Sequence, residues 1–291
     1  MSMSRIHCSR SVRLFAVVIA CALAGCSTIA NRASQKFADS LSNGILEQDD
    51  AAIARDGVPA WLLLTDGLIH GDPQNVGLLL AGARLYDSYA SGFVTDVERS
   101  QRLEARSFDY ARRATCVGLA ALCAQIDQPF DAFQAELAKT SAKDVPVLYQ
   151  LASSWAGRVQ ANSGDFKAIA DVPKVQALLE RVVALAPAHA GGEPYMYLGV
   201  LACLRPASLG GTPETGKADF EKALAMSNGK NQMVRVLYAQ FYARLVFDKD
   251  LHDRLLTEAL AADPHARGLT LVNTLAQQRA KLLLESGKDF F

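Results

Sequence analysis

The sequence predicts an all-α fold, specifically a solenoid of helical pairs, on three observations. Apolar residues recur with helical period in almost every long segment. A sustained period of two is missing, and so are runs of Val, Ile, Thr and Tyr between turn signals. Proline and glycine punctuate the chain at short intervals, with proline in the first turn of a segment and glycine past the last.

Taken in order, the segments read as follows. A first helix covers 31–47, and a second, 50–70, ends at Gly71-Asp72-Pro73, where 73–91 begins. A long helix follows at 95–120. Gln128-Pro129 opens 129–139, and Asp144-Val145-Pro146 opens 144–162. The helix 172–186 stops at Ala186-Pro187, and 193–204 comes next. Thr212-Pro213 starts 213–227, which Asn228-Gly229 closes. The last three are 231–247, 250–262 (ended by Asp263-Pro264) and 266–286.

Short helix pairs in series suggest internal repeats. Gly216, Phe220 and Ala223 fall at the small, aromatic and alanine positions of a tetratricopeptide second helix, with Asn228 in place of the proline. Leu256, Ala259 and Pro264 fit the next unit, and Tyr195, Leu198 and Gly199 fit a first helix. Small residues at such positions let two helices approach, and large ones fill the neighbouring gap. The N-terminal half hides the pattern.

The start of the chain carries a different message. Arg5, Arg10 and Arg13 precede the apolar run Leu14 to Leu23, which is too short to span a bilayer. A basic start, a short apolar stretch and small residues mark a secretory signal over 1–25. Leu23-Ala24-Gly25-Cys26 resembles the bacterial lipobox, in which the cysteine becomes residue one and carries diacylglycerol and an N-acyl chain. Residues 26–35 then read as a lipidated tether and 36–291 as the helical domain. Ser27, not Asp, follows the cysteine, which by the same resemblance implies the periplasmic side of the outer membrane.

Cleavage removes three of 30 basic and none of 30 acidic residues, leaving a formal charge of −3. That is no footprint for nucleic acid. Of the six cysteines, Cys8 and Cys21 leave with the signal and Cys26 is the anchor. Cys116 and Cys123 would stand about 10.5 Å apart on an unbroken helix, too far for a disulfide. Gly118 lies between them, so a fold-back bringing the two together and a pair of buried thiols stand as equal alternatives. Cys203, in an apolar helix, reads as core.

Other motifs carry little chemistry. Gly211 to Lys217 has the spacing of a phosphate loop, but Ala218 replaces the magnesium-binding hydroxyl and a helix, not a strand, precedes it. His70, His189, His252 and His265 are scattered without zinc spacing, so no metal site is expected. No nucleophile can be matched to a base, and the reading is of a protein that is not an enzyme, with no cofactor beyond the acyl lipid. Arg99, Arg102, Arg106 and Arg113 share one helical face, either as a solvated stripe paired with Asp96, Glu98 and Asp109 or as a surface for a partner. Trp61, Tyr86, Tyr89, Trp155, Tyr195, Tyr197, Tyr238 and Tyr242 would be core or the lining of a concave groove.

The stretch from Leu198 through Arg205-Pro206-Ala207-Ser208-Leu209-Gly210-Gly211, with Phe220 to Leu224, Asn228 to Asn231, Leu251 to Leu256 and Leu260 to Pro264, resembles the T component of TRAP-type transporters. Upstream, Asp144 to Tyr149 and Ser154-Trp155-Ala156-Gly157 are similar too. The resemblance implies a periplasmic lipoprotein of cryptic tetratricopeptide repeats that assembles as a homotrimer. It implies docking of a periplasmic solute-binding P subunit, and a channel passing a small organic ligand, hydrophobic ligands included. The alternative is a general outer-membrane scaffold for protein–protein interaction.

Overall fold

A computed structural model describes residues 44–291. The signal, Cys26, the tether and most of the helix expected over 31–47 lie outside the described residues. Among the described residues there are thirteen α-helices and no strand.

Side-chain caps set several helix starts. Asp50 accepts from the backbone of Ala52 and Ile53 and opens α1 (Ala51–Gly71). Asn75 accepts from Leu78 and opens α2 (Val76–Phe93), three residues later than Pro73 suggests. A side-chain acceptor for an orphan N–H outweighs the proline signal. Asp96 does the same for α3 (Val97–Gly118). Leu119 then leaves helical geometry before the short α4 (Ala120–Cys123), and α5 spans Phe130–Leu137. Next come α6 (Val145–Ala161), the one-turn α7 (Phe166–Ile169) and α8 (Val172–Leu185). The C-terminal part holds α9 (Glu193–Ala202), α10 (Pro213–Met226), α11 (Gln232–Leu237), α12 (Lys249–Ala261) and α13 (Thr270–Phe290).

The helix expected over 231–247 is α11 running into a π-helical turn, Tyr238–Ala243. The wider turn lets Tyr238 and Tyr242 both face inward, buried, and Tyr238 stacks on Phe220 with ring centroids 5.1 Å apart. The last helix starts late because Gly268, at φ +75°, turns the chain in the left-handed region.

Each helix packs mainly on its neighbours in sequence: α2 on α3, α3 on α6, α6 on α8, α9 on α10 and α12 on α13. One apolar cluster centres on Leu79, Phe133, Leu148 and Trp155, and a second on Phe220, Val236 and Leu256. Tyr195 and Tyr197 touch both. The series also bends back on itself, because α13 contacts α1. The Gly268 amide and Thr270 hydroxyl donate to Glu47 at 2.6 and 2.9 Å, and these bonds hold its carboxyl below the usual range.

The close helix approach expected at Gly216 is present. A Cβ there would lie 2.5 Å from Cys203 Sγ and 2.9 Å from the Gly199 carbonyl, while Gly199 itself abuts the Phe220 ring. Gly216→Val is therefore expected to lower unfolding stability by about 2–3 kcal/mol through overpacking of α9 against α10, as read by urea unfolding. A change under about 0.5 kcal/mol would mean that the pair can separate without loss.

Candidate functional site

The bend encloses a cavity of about 3140 Å³, open to solvent, with walls that run from α1 to α13. Binding pockets for small molecules usually hold about 300–1,000 Å³, so this one has room for an elongated ligand or for several positions. Much of the wall is apolar: Trp61 and Leu64 from α1, Leu85 from α2, Phe241 from the π-helical turn, and Leu271 and Leu275 from α13.

One patch of the wall is polar and built from four helices. Asp87 comes from α2, Glu104 from α3, Tyr149, Gln150 and Ser153 from α6, and Glu193 and Tyr197 from α9. The chain delivers Glu193 through the turn His189–Gly192, where Ala190, Gly191 and Gly192 have φ of 48°, 63° and 90°. Only glycine fits at 192, since a Cβ would come within 2.6 Å of Met226 Cβ. Glu193 then accepts from the Tyr149 hydroxyl at 2.6 Å, and the His189 ring lies edge-on to Tyr149 at 4.9 Å.

Behind the patch runs a buried polar layer. Ser107 donates to the Ala83 carbonyl at 2.8 Å and lies 2.7 Å from the Ser154 hydroxyl, and Gln150 Nε2 donates to Ser153 and Ser154. Glu104 stands out within this arrangement. It is 3 % exposed, and its Oε2 has no hydrogen-bond partner. Gly157 of α6 makes room for it, because a Cβ at that position would lie 2.4 Å from Glu104 Oε2 and 3.0 Å from Asp87 Oδ1. Two carboxyls thus converge on one point.

Burial is the first cause that raises both acids, and each is raised further by a like charge, Asp87 acting on Glu104 and Glu193 acting on Asp87. Ser153 partly offsets this at Asp87 by hydrogen bonding. Both effects disfavour the charged form, so the pair resists carrying two negative charges at once. Desolvation also raises Glu193, against which the Tyr149 hydrogen bond and Arg84 act. Such a pair could serve proton transfer, but it sits in an open cavity, with Leu64, Leu68 and Arg84 of the wall exposed to solvent.

The residues singled out in the sequence are distributed as follows. Cys116 and Cys123 are joined by a disulfide across the break at Leu119, with Cα atoms 4.8 Å apart. Cys203 is buried, and burial pushes its thiol up to about 12. The phosphate-loop imitation is the entry to α10, with Gly216 used for packing. The arginine stripe is largely satisfied within the chain. Arg102 pairs with Glu98, Arg106 with Asp66 and Arg113 with Asp109, while Arg99 lies over the Tyr89 ring. Among the aromatics, Trp61, Tyr89 and Tyr197 line the cavity, whereas Tyr86, Trp155, Tyr238 and Tyr242 are core.

Asp87, Glu104 and Glu193 were not singled out by sequence reasoning. One signal was available for Glu104: it shares the buried face of α3 with Phe108, Ala111 and Thr115, where a glutamate is out of place.

The chain is 24% identical over 263 residues to an uncharacterized protein of Treponema pallidum (strain Nichols), covering 84% of this chain and 81% of the other. The family model described as TRAP transporter T-component matches residues 47–291, all the helices described above. The chain therefore belongs to the TRAP transporter T-component family, whose members are accessory, non-catalytic parts of a transport system and associate with its other subunits.

Proposed function

We propose that this protein docks a periplasmic solute-binding P subunit and relays a small organic ligand through the central cavity. It works as a lipid-anchored homotrimer on the periplasmic side of the outer membrane. One observation carries the reading: a member of a transport-accessory family encloses a 3140 Å³ cavity, largely apolar, with a polar patch that can orient a ligand. Successive helix pairs provide the scaffold, and sequential packing of this kind makes concave binding surfaces in tetratricopeptide-like solenoids. The anchor at Cys26 supplies the location and the lipobox supports it.

Native mass spectrometry after gentle detergent extraction tests this. The expected result is a lipidated trimer carrying one to three copies of a solute-binding protein, with any retained small molecule identifying the ligand. A lipidated monomer, alone or with outer-membrane assembly proteins, would overturn the relay and favour the general scaffold.

A further inference from the structure

The relay reading leaves the chemistry of the ligand open, and the carboxyl pair narrows it. Glu104 Oε2 is a hydrogen-bonding atom buried at the cavity wall without a partner. Buried polar atoms are nearly always satisfied, and an orphan carboxyl oxygen calls for a partner from outside the chain. Asp87 Oδ1 converges on the same point beside Gly157. The charges that act on this pair are themselves negative, Asp87 on Glu104 and Glu193 on Asp87, whereas Arg84 acts on Glu193 and His189. Tyr149 and Tyr197 line the same wall with ring centroids 6.4 Å apart, packed edge to face, and an aromatic face attracts cations.

We propose that Glu104 and Asp87 form a receptor for an organic ammonium group, seating its N–H donors on the two carboxylates while its apolar body lies along the leucine-lined wall. An anionic head would meet two more carboxylates instead. A divalent metal ion fits less well, because among the described residues no three His, Cys, Asp or Glu side chains are grouped to hold one. Binding forms no covalent bond. The amine enters protonated, the carboxyl pair gives a proton to solvent, and the ammonium replaces that proton between the two acids. Glu193, Tyr149 and Tyr197 from neighbouring helices and His189 from the turn face the same space, so proton release must be assigned by substitution.

This assignment deepens the relay reading and shares with it only the use of the cavity. The test uses the full lipidated chain in detergent with three probes that differ only in the head group: octylamine, octanoate and octanol. Titration calorimetry in buffers of different ionisation enthalpy reads affinity and protons released. Octylamine is expected to bind at least roughly tenfold more tightly than the other two, as for a charge-assisted contact, with about one proton released. Glu104→Gln keeps the shape and neutral charge of the protonated acid, so it should fold. It is expected to lose both the preference and the proton release, and Asp87→Asn should lose the preference. Equal binding of the three probes, tighter octanoate, or an amine preference that survives in Glu104→Gln would overturn the assignment. So would calcium binding that the amine cannot displace. Amine binding by a protein that docks no solute receptor would sink the relay and leave this site standing.

Discussion

Trp155→Ala is expected to remove about 4 kcal/mol of stability, the middle of the range for emptying a large aromatic site in a core. Trp155 is 2 % exposed and lies where α3, α5 and α6 meet. Its ring packs against Phe108 and Phe133 with centroids 5.2 and 6.1 Å away. Its indole N–H donates to Asp171 at 3.1 Å, just before α8, and Lys174 approaches its face. Truncation leaves a cavity and strips a carboxylate of its donor together. Trp155→Phe keeps a ring and loses the N–H, so a smaller loss of about 1–2 kcal/mol is expected. Urea unfolding of the folded domain checks both. A loss for alanine under about 1 kcal/mol would mean that the helices close over the gap. The consequence reaches the cavity, since α6 also carries Tyr149, Gln150, Ser153 and Gly157 to its wall. Binding of an amine should weaken in the alanine variant even at temperatures where it remains folded.

The helices were legible in the sequence because their signals are local. Apolar period, prolines and capping residues act within a turn or two, and the expected and observed segments differ mostly by a few residues at their ends. The larger differences have local causes of another kind. Asn75 overrode Pro73, Gly268 delayed α13, and a π-helical turn replaced part of a regular helix at Tyr238–Ala243. The small-residue contacts at Gly199 and Gly216 were also legible, because a repeat pattern encodes packing between adjacent helices. The polar patch was not. Asp87, Glu104 and Glu193 lie on three helices and meet only when those helices are stacked, so no spacing in the chain relates them. A glutamate on the apolar stripe of α3 was the one trace they left, and its meaning depends on what faces it. The cavity itself follows from the contact of α13 with α1, which lies beyond the reach of any local signal.

Cys26→Ala is expected to abolish membrane attachment, the largest effect on location that any single substitution here should have. The reasoning is energetic. Each buried methylene of an acyl chain contributes about 0.8 kcal/mol, one chain gives marginal binding, and two or more hold firmly. Among the described residues, no helix is long and apolar enough to cross a membrane, so the folded domain offers no spanning helix in its place. The variant should appear in the soluble periplasmic fraction, or else accumulate as unprocessed precursor that still carries residues 1–25. Fractionation with mass measurement of the intact chain separates these outcomes, and a fully processed chain that stays on the membrane would sink the lipoprotein reading. The relay depends on the same residue through geometry. Ten residues, 26–35, can span at most about 35 Å, so an anchored domain samples only a thin layer beside the membrane. Held there, copies of the chain meet one another and a docking receptor at raised effective concentration. The released variant should therefore lose receptor association in cells while retaining amine binding once purified, because among the described residues those that line the cavity lie beyond the tether.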